Sequence, residues 1–333
     1  AARPVHAAGS DTLRLGLVGC GGRGTGAAVQ ALYADVNTKL VAMADAFEDR
    51  IDTSLKTMAR QPDIASRVRV DEDHRFVGFD AYQQVLGSDL DVVLLATPPH
   101  FRPLQLRAAI ESGKHVFAEK PVAVDAPGVR HVLETTELAK QKGLSIVSGL
   151  NTRYSPAMQE LIGHIHDGAI GEIKAAHAVR YAGGVWVKPR EPGMTEMEYQ
   201  MRNWYYFNWL CGDHICEQHV HNIDVANWFM GDPSPAVAQG MGGRQVRVGV
   251  DWGEIFDHHY VEFKYGDGTY VNSQCRHQKG CLNRVSEEII GTKGRTIPGS
   301  GVITDLDGKV IFEHKVRKKE KANPYIFEHE EMY

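Results

Sequence analysis

Apolar residues in the first 150 positions form short continuous runs, and the stretches between the runs carry apolar residues at helical spacing. Continuous runs of this kind are typical of strands buried on both faces of a sheet. Strands that alternate with helices indicate a doubly wound parallel sheet. The pattern predicts strands at residues 13–18, 39–45, 67–70, 91–97, 115–121 and 144–149, and helices at 27–36, 80–88 (with Asp80 as cap), 102–112 and 125–142.

The second half of the chain has a different pattern, in which polar and apolar residues alternate. Alternation over 172–181, 258–265 and 268–277 predicts antiparallel strands, and the turn sequence YGDGT joins the last two as a hairpin. The change of pattern predicts three parts: a flexible segment at 1–12, a first domain at 13–150 and a second domain at 151–333.

Composition and charge narrow the class of protein. The chain has 333 residues, 43% of them hydrophobic and 24% charged, and a net charge of -5. No apolar run is long enough for a membrane span, and the short basic run at 315–321 is interpreted as a solvated strand end or loop. We therefore expect neither membrane nor nucleic acid as a partner.

The five cysteines form no CxxC pair and do not define a redox compartment. The Ala-rich residues 1–12 resemble the remainder of a cleaved export signal, which predicts an exported or periplasmic protein. A merely disordered start, and with it a cytoplasmic location, is the alternative.

A glycine-rich turn follows the first strand with the spacing Gly19-x-Gly21-x-x-Gly24, directly before the first helix. The first glycine permits the turn, the second lets a pyrophosphate approach the backbone, and the third lets helix and strand pack closely. Asp45 ends the second strand and would accept hydrogen bonds from a ribose, which favours NAD over NADP. Arg23 could soften that preference, and a glycine turn without any ligand is the alternative interpretation.

Further polar residues follow the fourth and fifth strands, at 97–100 and 119–121. Ligands of doubly wound sheets bind beyond the carboxyl ends of the strands, so these residues should line one crevice. The candidate cofactor-binding residues are Gly19, Gly21, Gly22, Arg23, Gly24, Asp45, Thr97, Pro98, His100, Glu119 and Lys120.

The segments GLVGCGGRG (16–24), ATPPH (96–100) and AEKP (118–121) together resemble the Gfo/Idh/MocA oxidoreductases. The resemblance extends over residues 13 to about 275. It implies an α/β protein: a Rossmann-type doubly wound parallel sheet, followed by an α/β domain with a large open, mainly antiparallel sheet that commonly packs on a partner subunit. It also implies a nicotinamide cofactor, a sugar or cyclitol substrate, and a homo-oligomer, either a dimer or a tetramer.

The family's second motif, D-x-G-x-H-x-x-D, aligns with part of residues 211–224. Glu217 and Asp224 take the two acid positions, His221 takes the histidine position, and His219 replaces the glycine. On one continuous helix, Glu217, His221 and Asp224 would share a face with Trp228. The resemblance implies that His221 is the acid/base, that Lys120 is its partner or orients the substrate oxygen, and that Glu217 is a catalytic substrate ligand. A structural ion pair at Lys120 and a buried, satisfied His221 are the alternatives.

The resemblance also suggests residues that contact the substrate directly. Arg153, Tyr154 and Asp224 occupy substrate-side positions, and His219 is an additional candidate. His214, Glu217 and His221 could converge on zinc or manganese, but the family's usual form uses no metal and we expect none. The aromatic run at 204–209 could stack on a sugar, although such runs more often pack in a core or interface.

Three functions are compatible with these predictions. The first is an NAD(P)-dependent oxidoreductase acting on a hydroxyl or keto group of a sugar, cyclitol or glycoside. The second is a redox-neutral, NAD-assisted glycoside hydrolase or lyase that retains its cofactor. The third is a non-catalytic dinucleotide-binding sensor.

Overall fold

The computed structural model describes residues 12–315 and 323–333, which divide into two compact units. The first unit contains residues 12–151 and 323–333, and the second contains 152–315. The predicted flexible segment 1–12 and the basic run 315–321 lie outside the described residues, except for Thr12 and Lys315. None of the helices in the described ranges has the length and apolar character needed to cross a membrane.

The first unit is built on a parallel sheet with the strand order β3-β2-β1-β4-β5-β6. This order is that of the dinucleotide-binding Rossmann fold, in which the strand order reverses between β1 and β4. The central strands are apolar on both faces because helices cover both, which explains their continuous hydrophobic runs. The strands are β1 Leu13–Val18, β2 Thr38–Asp45, β3 Arg75–Val77, β4 Val92–Leu95, β5 His115–Ala118 and β6 Ile146–Ser148.

The third strand lies later in the chain than the sequence pattern predicts. Residues 67–70 form only an isolated bridge to β2, between Val68 and Leu40. The chain then makes a 3-10 turn at Glu72–His74 and returns to the sheet edge as β3. The prediction of a strand at 67–70 is therefore wrong, because that segment touches the edge of β2 without continuing along it.

Helices connect the strands of the first unit largely where apolar spacing predicts them. Asp125 caps α6 by accepting a hydrogen bond from the Gly128 N–H, whereas Asp80 occupies the cap position of α4 without making a side-chain cap bond. The helices are α1 Gly22–Ala34, α2 Glu48–Ala59, α3 Pro62–Ala65, α4 Ala81–Gly87, α5 Arg102–Glu111 and α6 Ala126–Lys142.

The second unit contains a sheet with the order β14-β13-β12-β11-β7-β10-β9-β8. Its neighbours pair antiparallel except for β7 and β10, which are parallel. The predicted hairpin is confirmed, since β9 and β10 pair with Lys264 opposite Tyr270. The strands are β7 Ile173–Ala182, β8 Val237–Gly243, β9 His258–Lys264, β10 Tyr270–His277, β11 Arg284–Gly291, β12 Gly294–Ile297, β13 Val302–Asp305 and β14 Val310–Glu313.

Two helices of the second unit pack against this sheet. Leu161 and Ile162 on one helix and Phe229 on the other join Ala176 and Ile289 of the sheet in one buried apolar cluster. The helices of the unit are α7 Pro156–His166, α8 Glu196–Arg202, α9 Asn208–Cys211, α10 Asp213–Glu217 and α11 Val220–Phe229.

The last helix, α12 (Pro324–Glu330), belongs to the first unit, where it packs against α1 and β6. Asn323 caps it by accepting a hydrogen bond from the Tyr325 N–H, and the side chains of Glu328 and His329 are fully buried. The prediction that all of 151–333 forms the second domain is therefore corrected for residues 323–333.

Candidate functional site

The glycine-rich turn of the first unit has a different steric constraint at each glycine. Gly19 has φ +96°, and a Cβ there would lie 2.6 Å from backbone atoms of Ala96 and Thr97. A Cβ on Gly24 would lie 1.8 Å from the Gly19 carbonyl oxygen. At Gly21 and Gly22 a Cβ would meet no described protein atom within 4 Å. The turn is thus closed toward the protein and open on the side where α1 begins, which fits a pyrophosphate bound by the helix N-terminus.

Asp45 is held beside this turn at the carboxyl end of β2. Its carboxylate accepts hydrogen bonds from the backbone N–H groups of Cys20, at 2.7 Å, and Phe47, at 3.0 Å. Burial raises the pKa of Asp45, although these two N–H groups and Arg50 partly oppose the shift. A half-buried acceptor with a fixed orientation at this strand end suits a ribose hydroxyl.

The Arg23 side chain contacts three residues inside the first unit. Its Nε lies 2.9 Å from Oε1 of Glu119, its guanidinium donates to Gln30, and it lies 4.9 Å from the centroid of the Tyr325 ring. These contacts engage the Arg23 guanidinium within the first unit, and its effect on the choice between NAD and NADP stays a prediction.

Glu119 is a buried structural carboxylate in this structure, only 3% exposed. Burial raises its pKa, and the charges of Arg23, Lys120 and Arg102 lower it in part. Oε2 accepts a hydrogen bond from the Lys120 N–H at 3.2 Å, and a Cβ on Gly149 would lie 2.7 Å from it. Glu119 packs below the surface and accepts a hydrogen bond from the backbone of Lys120, and its contact with the dinucleotide stays a prediction.

The segment after β4 is also fixed by internal hydrogen bonds. Arg102 is 1% exposed, its pKa is lowered to about 10 by burial, and it donates to the Thr97 carbonyl at 2.7 Å. The Thr97 hydroxyl donates to Gln105 at 2.6 Å. Pro98 is half-buried, whereas His100 is exposed and makes a T-shaped ring contact with Phe101. These contacts hold the loop in one shape at the carboxyl edge of the sheet.

The segment of the second unit that contains the family's second motif forms two helices rather than one. α10 ends at Glu217 and α11 begins at Val220. The N–H groups of Gln218 and His219 both donate to the His214 carbonyl, which ends the first helix, and the His219 carbonyl then starts the second. The prediction of one continuous helical face through Glu217, His221, Asp224 and Trp228 is therefore wrong.

His219 is a core residue with protein partners for both ring nitrogens. It has no exposed surface, Nε2 lies 2.9 Å from the Ser273 hydroxyl, and Nδ1 lies 3.3 Å from the Asn222 side-chain oxygen. Burial lowers its pKa to about 3, so the imidazole is neutral. A neutral imidazole with one donor and one acceptor is satisfied here by the protein, and a substrate contact of His219 stays a prediction.

Arg153 and Asp224, two predicted substrate ligands, bind each other. Arg153 Nη2 lies 2.7 Å from Asp224 and 2.6 Å from Asp232, and the guanidinium lies over the Trp228 ring. Burial opposes the charge on Arg153, but the two carboxylates raise its pKa. The ion pair fixes the orientation of both side chains, and their contact with a substrate stays a prediction.

The remaining predicted residues of the second unit are less constrained by the structure. Tyr154 and His221 are half-buried, and Glu217 is 7% exposed and accepts a hydrogen bond from the Gln218 amide at 2.8 Å. In the aromatic run, Tyr205, Tyr206 and Phe207 are buried, which favours core packing over sugar stacking.

A polar cluster that the sequence did not reveal surrounds Asp213. Among the described residues, Asp213, His214 and His259 can each offer one ligand atom, all within 4.8 Å of one another. The group includes neither Glu217 nor His221, so the alternative site considered from the sequence does not form. The adjacent Asp213-His214 pair was visible in the sequence, but the approach of His259 depends on the sheet.

The first unit, with its Rossmann strand order and its glycine turn beside Asp45, defines a dinucleotide-binding protein. The second unit adds a largely antiparallel sheet. Residues 13–149 match the model of the oxidoreductase family with an NAD-binding Rossmann fold, and residues 158–297 match the Gfo/Idh/MocA C-terminal domain. The chain belongs to the Gfo/Idh/MocA family, and its first unit is an NAD-binding Rossmann domain.

Individual relatives are distant. The inositol 2-dehydrogenase of Rhizobium meliloti is 26% identical over 68% of this chain and 57% of its own length. The 2,7-anhydro-N-acetylneuraminate hydratase of Mediterraneibacter gnavus is 24% identical over 55% of this chain and 44% of its own length. The chain thus spans about half of these curated relatives. The crystal structure of the WlbA dehydrogenase from Bordetella pertussis with NADH and UDP-GlcNAcA shares the fold, with a TM-score of 0.67, 18% identity, and coverage of 96% of this chain and 83% of that one.

Proposed function

We propose that the protein is an NAD-dependent oxidoreductase that acts on a hydroxyl or keto group of a sugar or cyclitol. The observation that carries the proposal is the glycine turn, which is open only at Gly21 and Gly22 and has the carboxylate of Asp45 fixed beside it. The polyol substrate class rests on the family and on the inositol dehydrogenase relative.

Oxidation of a carbinol needs a hydride acceptor, a proton acceptor and a fixed substrate. A bound nicotinamide would supply the hydride chemistry at the carbinol carbon. A protein group must accept the hydroxyl proton. Lys120 is the candidate, because it follows β5 at the edge of the sheet where ligands of this fold bind. His221, half-buried on α11, is the second acid/base that the family resemblance predicts.

The preference for NAD over NADP is part of this proposal. The Asp45 carboxylate would bind the free ribose hydroxyls and repel a 2′-phosphate. Arg23 pairs with Glu119 and donates to Gln30, so its guanidinium already has partners within the protein. These contacts support the preference for NAD.

Variants of Lys120 test the proposal. We expect Lys120→Ala to lower turnover on an active polyol by at least about 100-fold while NAD still binds, because the variant lacks the group that transfers the proton. NADH formation across a panel of cyclitols and aldoses measures the first, and calorimetry measures the second. Lys114→Ala is the matched control, since Lys114 precedes the same strand and its Nζ donates to the Leu90 carbonyl. Near-normal turnover in Lys120→Ala would reject its assignment.

A redox-neutral reaction with a retained cofactor is the second candidate, favoured by the hydratase among the relatives. It would convert the substrate with no net NADH, and a mass change equal to water in the product would identify it. Tight NAD binding without turnover of any kind would instead favour the non-catalytic sensor.

A further inference from the structure

The residues around Asp213 form a compact arrangement of possible metal ligands inside the second unit. Gly212 ends α9 and Asp213 begins α10, and both have left-handed backbones with φ 70° and 66°. Asp213 Oδ2 accepts a hydrogen bond from the Phe256 N–H at 2.8 Å. Its other oxygen, Oδ1, lies 2.9 Å from Nδ1 of His214 and 3.3 Å from Nε2 of His259. One carboxylate oxygen therefore faces two imidazoles.

The two imidazoles are not satisfied by the protein alone. His214 has no exposed surface and its Nε2 lacks a hydrogen-bond partner in the described structure, whereas Nε2 of the largely buried His259 has only the 3.3 Å contact with Asp213 Oδ1. Buried polar atoms without partners cost free energy, and native structures contain few of them. A metal ion bound beside Asp213 Oδ1 would give the His259 Nε2 a partner.

We propose that Asp213, His214 and His259 bind a first-row divalent transition-metal ion, with Zn²⁺ as the reference ion. In a tetrahedral site with metal–ligand bonds of about 2.1 Å, ligand atoms are about 3.4 Å apart. The distances of 2.9 and 3.3 Å from Oδ1 are close to this spacing. Two imidazoles and one carboxylate favour such ions over Ca²⁺ or Mg²⁺, which prefer oxygen ligands. The site lies within the second unit and does not depend on the proposed oxidoreductase activity.

The surroundings of the cluster set its affinity and access. The ring of His277 stacks on His214 at 4.6 Å and is fixed by Arg247, which donates to its Nδ1 at 2.8 Å. The buried Arg247 charge opposes a dication, so we expect an affinity weaker than that of a structural zinc site. His259 also lines a cavity of about 550 Å³. Three protein ligands leave a coordination position for water or a small molecule.

Metal titration of the chelator-treated full chain tests the proposal. We expect one Zn²⁺ per chain after gel filtration, and a visible Co²⁺ spectrum typical of tetrahedral nitrogen and oxygen ligands. His259→Gln and Asp213→Asn should each lower Zn²⁺ affinity by at least about 100-fold, since each removes a ligand. His258→Gln is the matched control: its imidazole is the neighbouring one on β9, is paired with Asp257, and lies outside the ligand group.

Unfolding measurements on the metal-free proteins show whether each variant folds. Where a variant does not fold, the wild-type measurements still test the proposal. Substoichiometric Zn²⁺ and no tetrahedral Co²⁺ spectrum in the wild type would overturn the proposal. Unchanged affinity in a folded His259→Gln protein would overturn it as well.

Discussion

Glycine-to-alanine substitutions in the glycine turn, each of which adds one methyl group, distinguish effects on protein stability from effects on dinucleotide binding. At Gly24 the added methyl of Gly24→Ala would lie 1.8 Å from the Gly19 carbonyl oxygen, so α1 must move away from the turn. Overpacking of this kind costs about 1–3 kcal/mol, and the better helix propensity of alanine returns roughly 0.5–1 kcal/mol. Because the obstacle is backbone, we expect the overpacking cost to lie at the upper end of its range, which leaves a net loss of about 2–2.5 kcal/mol.

At Gly21 the same methyl meets no described protein atom within 4 Å, and φ is -67°, which any residue adopts. We expect Gly21→Ala to change stability by less than about 1 kcal/mol, the cost of alanine at a helix cap. The methyl would, however, occupy the space proposed for the pyrophosphate. NAD affinity should fall at least about tenfold, which corresponds to roughly 1.4 kcal/mol.

Urea unfolding without cofactor and calorimetric NAD titration measure the two effects separately. Gly87→Ala, at the end of α4 with open space around its Cβ position, is the control that should leave NAD affinity unchanged and should not lower stability. Wild-type NAD affinity in Gly21→Ala would refute the placement of the pyrophosphate at the turn. Wild-type stability in Gly24→Ala would refute the steric argument.

Three further predictions concern other buried or half-buried polar groups. Asp45→Ala should reduce the ratio of NAD to NADP affinity measured by calorimetry, and an unchanged ratio would contradict the proposed ribose contact. Burial raises the pKa of Glu328 from its usual 4.5 to about 8, so between these values the unfolded chain loses a proton that the folded chain keeps. Stability should therefore fall as pH rises through this window, by at most about 1.4 kcal/mol per pH unit, and Glu328→Gln should flatten that dependence in urea unfolding at pH 5 and 8. His219→Gly removes a buried ring and its contacts with Ser273 and Asn222, so thermal unfolding should show a loss of roughly 2–4 kcal/mol, and unchanged stability would contradict its core role.

Local sequence patterns predicted the first unit well because its signals are short-range. The glycine spacing before α1 and the acid that ends β2 are set within one strand–helix–strand unit, so Gly19, Gly24 and Asp45 lie where the spacing requires. The β9–β10 hairpin was predicted for the same reason.

Features that depend on distant contacts could not be predicted from local patterns. The helix break before Val220 accompanies the burial of His219 against Ser273 of β10, 54 positions away. Arg153 pairs with Asp224 and with Asp232, 79 positions away, and its contact with a substrate stays a prediction. The return of α12 to the first unit is likewise a tertiary event.

The most direct test of the proposed function follows deuterium from substrate to cofactor. The purified protein, loaded with NAD⁺, is incubated with a panel of cyclitols and aldoses deuterated at their carbinol carbons, and the bound cofactor is analysed by mass spectrometry. An oxidoreductase, whether its reaction is net or transient, should produce reduced nicotinamide that carries deuterium, and Lys120→Ala should abolish the label. A cofactor that stays bound and unlabelled through the whole panel would contradict the proposal.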